Sequence, residues 1–333
     1  MLGVGVIGLG VHGLRYVRHV ARDVPGMRLA AVCRRDPHHA ERIGREWGVP
    51  HFTNPEALLE HPEVKAVVIV TPPPTHLSLA TLALERGTPV LLEKPLTQVL
   101  DEAFELERIV QETGTPLLLA QTLRYNVALR LARDQLERIG PVRSLTASQR
   151  LPRTDLAWQN TETTHPLGSI LNTGVHLYDL VRWLLGAEFE RVYCQAHRVE
   201  NPFHEDLFKV QATLRDSDTL VALEVAKCTQ SRSANLEIVG QHGQLWVDYQ
   251  EDQVVHVEGT RRTVLRPAQP EPTLPPLLAA FAHCIANFES MPITVRDGLR
   301  TLEIVEACYR SLAESRPEFV SRPHRMNTPR TGP

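Results

Sequence analysis

Leu2-Gly3-Val4-Gly5-Val6-Ile7-Gly8-Leu9-Gly10-Val11-His12-Gly13 follows the first methionine. Its first half is a short apolar run, and its second half is Gly-x-Gly-x-x-Gly. An amphipathic stretch comes next, over residues 12–24. A strand that turns through three such glycines into a helix has a physical purpose. The first glycine permits the tight turn, the second lets main chain approach a pyrophosphate, and the third lets helix and strand pack closely. The helix N-terminus then offers unpaired N–H groups to the phosphates. Gly8, Gly10, His12 and Gly13 are therefore candidate dinucleotide-binding residues. Strands are expected at 29–33, 64–70, 90–92 and 117–120, alternating with helices at 36–47, 75–86 and 97–113. Asp36 is a plausible cap for the first of these helices and Gly48 its stop. Such alternation predicts an α/β fold, a doubly wound parallel sheet.

Beyond residue 121 the texture changes. A helix is expected over 126–139, a strand over 142–150, an aperiodic Thr- and Pro-rich loop over 151–168 and a helix over 172–185. Strand candidates follow at 189–199, 207–215, 219–229, 234–240 and 243–249, then helices at 276–290 and 296–315. Consecutive strands without intervening helices predict a large, mostly antiparallel open sheet in an α+β domain. The division is thus a Rossmann domain over 1–121, a substrate and oligomerisation domain over 122–320, and a loose tail over 321–333.

Composition narrows the function classes. The 333 residues carry a formal net charge of −3, so no basic surplus points to nucleic acid. No apolar run is long enough to span a membrane, and the apolar N-terminus lacks the basic start and cleavage site of a signal segment. The five cysteines are odd in number, widely spaced and without Cys-x-x-Cys, which suits a reducing cytoplasm rather than a disulfide or zinc scaffold. No metal-ligand spacing is present.

The second strand ends Val32-Cys33-Arg34-Arg35-Asp36. An NAD site places an acid near this position to accept the ribose hydroxyls. Arg34 cannot accept them, but with Arg35 it can pair with a 2′-phosphate. NADP is therefore the expected cofactor, with NAD the alternative through Asp36. Lys94, one of only four lysines among 36 cationic residues, lies at the carboxyl end of a parallel strand in Glu93-Lys94-Pro95. Ligands bind at that edge of such sheets. Thr71-Pro72-Pro73-Pro74-Thr75-His76 closes an earlier strand at the same edge, beside the expected nicotinamide.

With these elements the chain resembles the glucose-fructose oxidoreductase / inositol dehydrogenase / MocA (Gfo/Idh/MocA) oxidoreductase family. The matching residues are the glycine loop, Thr71-Pro72 with His76, Glu93-Lys94-Pro95, Arg124-Tyr125-Asn126, Gly174-Val175-His176 with Asp179, and Asp297-Gly298-Leu299. They occur in family order across nearly the whole chain. The resemblance implies a nicotinamide cofactor, a sugar, polyol or related hydroxy substrate, and a homodimer or homotetramer formed through the second domain's sheet. It makes Lys94 and His176 the catalytic lysine and histidine. Many members have an aspartate four positions before that histidine; here the position is Asn172.

An alcohol oxidation must release a hydride from carbon and a proton from oxygen. Neutral His176 is suited to take the proton, and Lys94 to stabilise charge on the oxygen. Asn172, read as one helical turn before His176, can orient groups but cannot accept a proton. That favours carbonyl reduction with NADPH. Arg124, Tyr125 and Trp158 complete the candidate substrate-binding set with Lys94, Asn172 and His176. Arg124 and Tyr125 are equally suited to stabilising the domain junction, and His165 reads as a solvated loop residue. Two other readings compete: a dinucleotide-binding regulator without turnover, and a glycoside hydrolase that uses its cofactor for transient oxidation.

Overall fold

The computed structural model describes residues 1–153, 167–266 and 272–320. Residues 2–120 build a six-stranded parallel sheet. Its strands are β1 (Leu2–Ile7), β2 (Met27–Cys33), β3 (His51–Phe52), β4 (Ala66–Ile69), β5 (Val90–Glu93) and β6 (Leu117–Ala120), in the order β3-β2-β1-β4-β5-β6. The order in which strands are added reverses between β1 and β4, so a crevice opens at the carboxyl ends of those two parallel strands. Val67, Val68, Leu91 and Leu92 are fully buried. This is why these strands read as continuous apolar runs: helices cover both faces. Those helices are α1 (Val11–Arg22), α2 (Pro37–Trp47), α3 (Pro55–Leu59), α4 (His76–Leu84) and α5 (Leu100–Thr113). Asp36 caps α2 by accepting from the His39 N–H, and Gly48 ends it with φ 65°.

The second sheet has nine strands in the order β14-β13-β12-β11-β7-β10-β9-β8-β15. They are β7 (Val142–Pro152), β8 (Phe189–His197), β9 (Leu207–Leu214), β10 (Leu220–Thr229), β11 (Ser233–Gly240), β12 (Gln244–Asp248), β13 (Gln253–Glu258), β14 (Arg261–Leu265) and β15 (Glu318–Phe319). Only the β7–β10 pair is parallel. Leu145, Ala147, Val221, Leu223 and Val210 alternate onto the inner face and are buried. Thr146, Ala222, Gln211 and Tyr193 line a shallow depression of about 390 Å³ on the opposite face. The fold is thus the expected α/β architecture with a mostly antiparallel second sheet.

Several local expectations shift. The helix expected over 126–139 divides into α6 (Val127–Asp134) and α7 (Leu136–Ile139), with Gln135 between them. The helix expected over 172–185 divides into α8 (Ser169–Asn172) and α9 (Gly174–Leu185) at Thr173. Leu151 and Pro152, expected in a loop, continue β7. Strands β13, β14 and the two-residue edges β3 and β15 escaped the reading, as did α3. Most of the expected loop 151–168 and the whole tail lie outside the described residues.

Two late helices, α10 (Leu274–Asn287) and α11 (Val295–Glu314), return to the first sheet. The Leu119 N–H on β6 donates to the Ile293 carbonyl at 3.1 Å, so the second domain's chain borders the first sheet's edge. One turn into α11, a Cβ at Gly298 would lie 2.7 Å from side-chain atoms of Leu96 and Leu119. Only glycine lets α11 come this close.

Candidate active site

The glycine loop is built for an approaching ligand. Gly8 has φ 100°, and a side chain there would collide with the Val70 carbonyl. A Cβ at Gly13 would overlap the Gly8 carbonyl, which presses α1 against β1. At Gly10, by contrast, a Cβ would meet nothing within 4 Å. Gly10 is the cap of α1, no side chain caps that helix, and its first turn carries no acid. Its N–H groups and partial positive charge therefore face open space, as a pyrophosphate requires. Arg34 follows β2 directly, and its Nη1 donates to the Leu9 carbonyl at 2.7 Å. His39 Nε2 reaches the same oxygen at 3.1 Å. The Arg34 guanidinium thus lies over the glycine loop, while Arg35 is exposed beside it. These residues fit a nicotinamide dinucleotide.

Glu93 ends β5 with a buried carboxylate. Tyr16 donates to Oε1 at 2.6 Å, His12 Nε2 lies 2.7 Å from the same oxygen, and the Lys94 N–H donates to Oε2 at 3.0 Å. Burial would raise this carboxyl, but the bond and charge of His12, the Lys94 charge and the Tyr16 hydroxyl together hold it at about 2. His12, the variable position before the last glycine, thus ties the loop to the strand that carries Lys94. The Lys94–Pro95 peptide is cis. Lys94 Nζ donates to the Asn172 carbonyl at 2.9 Å, a bond that crosses from the first domain to the second. Burial lowers the Lys94 pKa, and the Glu93 charge opposes the shift.

His176 lies in the first turn of α9. Burial, then the Lys94 charge, push its imidazole down to about 3, so it is neutral. Its Nδ1 is buried and has no hydrogen-bond partner among the described residues. Asn172 does not share one helix with His176, as the sequence suggested, because Thr173 interrupts the run. The Asn172 side-chain amide donates to the Leu167 carbonyl, and the Asn172 main-chain carbonyl accepts from Lys94. Lys94, Asn172 and His176 therefore converge where the two domains meet.

Other sequence-predicted residues lie elsewhere. Arg124 grips Asp179 through Nε and Nη2 at 2.8 and 2.6 Å, and Asp297 through Nη2 at 2.8 Å. Asp179 is 1% exposed and committed to that pair. Tyr125 is buried beneath the Arg130 guanidinium, 5.0 Å from its ring centroid. Asn126 caps α6 and donates to the Tyr249 carbonyl at 3.1 Å. This Arg-Tyr-Asn run anchors the start of the second domain to other parts of that domain. Thr71 Oγ1 accepts from Thr75 at 2.8 Å, which with the Thr75 bond to the Pro72 carbonyl folds the loop after β4 into a turn. His76 is completely buried behind that loop. Trp158 and His165 lie outside the described residues.

One residue escaped the sequence reading. Lys227 follows the inward-facing Val221, Leu223 and Val225 at the same alternation on β10. Burial and then the Lys94 charge lower it to about 8, with the Asp206 charge opposing. The signal was available: a rare lysine in phase with a buried strand face. Among the described residues, no group of three or more His, Cys, Asp or Glu is placed to hold a metal ion.

Comparison with known proteins agrees with this layout. Residues 2–121 match the Gfo/Idh/MocA oxidoreductase family's NAD-binding Rossmann fold, and residues 130–319 match its C-terminal α/β domain. A scyllo-inositol 2-dehydrogenase (NAD(+)) of Bacillus subtilis is 28% identical, covering 94% of each chain. An inositol 2-dehydrogenase 2 of Paenarthrobacter aurescens is 30% identical over 93% of this chain and 95% of its own. Among solved structures, scyllo-inositol dehydrogenase of Lactobacillus casei with NAD(H) and scyllo-inositol shares the fold, with TM-score 0.83 and 20% identity, covering 97% of this chain and 100% of the other.

Proposed function

This chain belongs to the Gfo/Idh/MocA family of oxidoreductases, and from that premise we propose that it exchanges a hydride between NADP(H) and a hydroxyl-bearing carbon of a polyol, sugar or related keto compound. When bound, the nicotinamide supplies or accepts the hydride. The polyol class is supported by the inositol dehydrogenases that align along nearly the whole chain. The single observation that carries the reading is the Lys94 Nζ bond to Asn172 across the domain joint, with neutral His176 beside it.

Lys94 donates to the reacting oxygen, where negative charge grows in the oxidative direction. An ammonium has three protons, so the bond to Asn172 leaves two for substrate. His176 is neutral across the physiological range and accepts a hydrogen bond from the substrate hydroxyl. An imidazole held at about 3 stores a proton poorly. Lys94, with its lowered pKa, is therefore the better proton donor for carbonyl reduction. Asn172 carries no charge that would stabilise an imidazolium, which fits the same direction.

NADP over NAD is supported by Arg34 above the glycine loop and by Asp36 acting as the cap of α2. Titration with NADPH and NADH tests it: NADPH should bind at least about tenfold tighter, a difference of about 1.4 kcal/mol, and Arg34→Ala should erase the preference. Equal binding of NADH sinks the NADP assignment. Hydride transfer itself is tested by a polyol and ketone screen followed at 340 nm. We further read the open face of the nine-stranded sheet as the seat of a homodimer or homotetramer. Its support is an uncovered face on which Leu220 is 62% exposed, and light scattering would measure the assembly.

A further inference from the structure

A lysine ammonium sits at the end of a flexible stem, so its position depends on how firmly the backbone beneath it is held. The β5–β6 ladder ends at Glu93. The chain then turns through Lys94, Pro95 and Leu96, and Pro95 has no N–H to anchor it. The carbonyls of buried Pro95 and Leu96 point at one side chain. His76 Nδ1 lies 2.9 Å from the Pro95 oxygen and 3.3 Å from the Leu96 oxygen. The other ring nitrogen, Nε2, lies 2.9 Å from the Thr71 oxygen. The ring is completely buried, so no water can take over either bond.

We propose that His76 is a positioning residue for Lys94: a buried tie that holds the lysine turn in register with the Thr71 loop and, through that loop, with the nicotinamide end of the cofactor crevice. This rests on the reading of Lys94 as the group at the reacting oxygen. The tie sits at the point where errors would add up. Leu96, one residue beyond it, is where Gly298 of α11 makes its close approach. His76 therefore fixes the lysine turn between the dinucleotide loop and the second domain. Burial pushes the ring toward its neutral form, while the three carbonyls and the Glu93 charge favour the proton. The neutral ring has one N–H, so it donates to one side, the Pro95 and Leu96 carbonyls or the Thr71 carbonyl, and packs against the other.

The test compares His76→Phe, which keeps a ring and removes the ring N–H, with His76→Gln, which keeps an N–H donor. In His76→Phe, kcat should fall about 10- to 100-fold, as expected of a displacement near 1 Å. The dinucleotide Kd should stay within about threefold, and the alkaline limb of the pH profile, set by Lys94, should move. His76→Gln should recover part of the loss. An unchanged kcat overturns the proposal. So does a loss of kcat matched by an equal loss of NADPH affinity, which would make His76 a cofactor ligand. If neither variant folds, nitrogen-15 NMR of the unaltered protein decides: the His76 ring N–H should be protected from solvent exchange, and rapid exchange overturns the tie. Lys94→Ala separates the two readings. Its retained turnover would sink the role of Lys94, whereas an inactive Lys94→Ala beside a fully active His76→Phe would sink the tie alone.

Discussion

At the scale of the residue, the roles proposed for Lys94 and His176 divide the work unequally. Lys94→Ala should lower kcat about 10²- to 10⁴-fold, the range for a positioned proton donor. Dinucleotide affinity should hardly change, because the glycine loop and Arg34 are untouched. Stopped-flow turnover with a parallel binding titration would check both. The second prediction concerns Asn172. Burial and Lys94 hold His176 at about 3, so the parent enzyme should show no acidic limb near the usual histidine range. Asn172→Asp would place a carboxylate at the end of α8, just before the helix that carries His176, and a charge near the ring would raise the imidazole pKa. The pH profile of that variant should gain an acidic limb shifted upward; an unaltered profile would show that residue 172 does not face the imidazole.

At the scale of the element, packing decides what sequence patterns leave open. Gly298→Ala adds one methyl where Leu96 and Leu119 stand 2.7 Å away. Overpacking of this kind costs about 1–3 kcal/mol, to be read as a lower denaturation midpoint at unchanged m. Turnover should fall as well, since Leu96 adjoins the lysine turn. The same contrast between pattern and packing explains how much of the fold was legible. Strands β1, β4, β5 and β6 were plain because burial on both faces forces apolar runs. Strands β13 and β14 were not, because Gln253, His256, Arg261 and Arg262 interrupt their alternation. Thr173 could not be read as a break, since nothing local forbids it from a helix. Within the site, Lys94 and His176 stood out through their motifs. The Arg124–Asp179–Asp297 cluster and Lys227 depend on partners 55 to 173 residues away or on a buried strand face, which spacing along the chain does not reveal.

At the scale of the whole molecule, buried charge pins the start of the second domain to that domain's own helices α9 and α11. Removing Arg124 leaves Asp179 and Asp297 only the more distant Arg182, at 4.0 and 3.6 Å, and breaking such a buried pair costs about 3–5 kcal/mol. Arg124→Met should therefore lower the melting temperature sharply, as calorimetry would measure. Acid should act in the same direction. Glu93 is held at about 2, below its unfolded value of 4.5, so its contribution is present above that value and is lost as pH falls toward 2. His176 is held at about 3, below 6.5, so the unfolded chain binds its proton first and stability declines as pH falls from about 6.5. Urea midpoints measured from pH 7 to pH 4 should fall steadily; a flat profile would contradict both assignments.

The crossing from Lys94 to Asn172 also bears on how such a protein can diversify. Every residue proposed to grip the dinucleotide belongs to residues 2–96, and the residues proposed to face the other reactant come from α8, α9 and β10. A lineage can therefore exchange one substrate for another by rewriting one half, while the half that handles the redox currency is inherited unchanged. The seam between them is where that freedom ends.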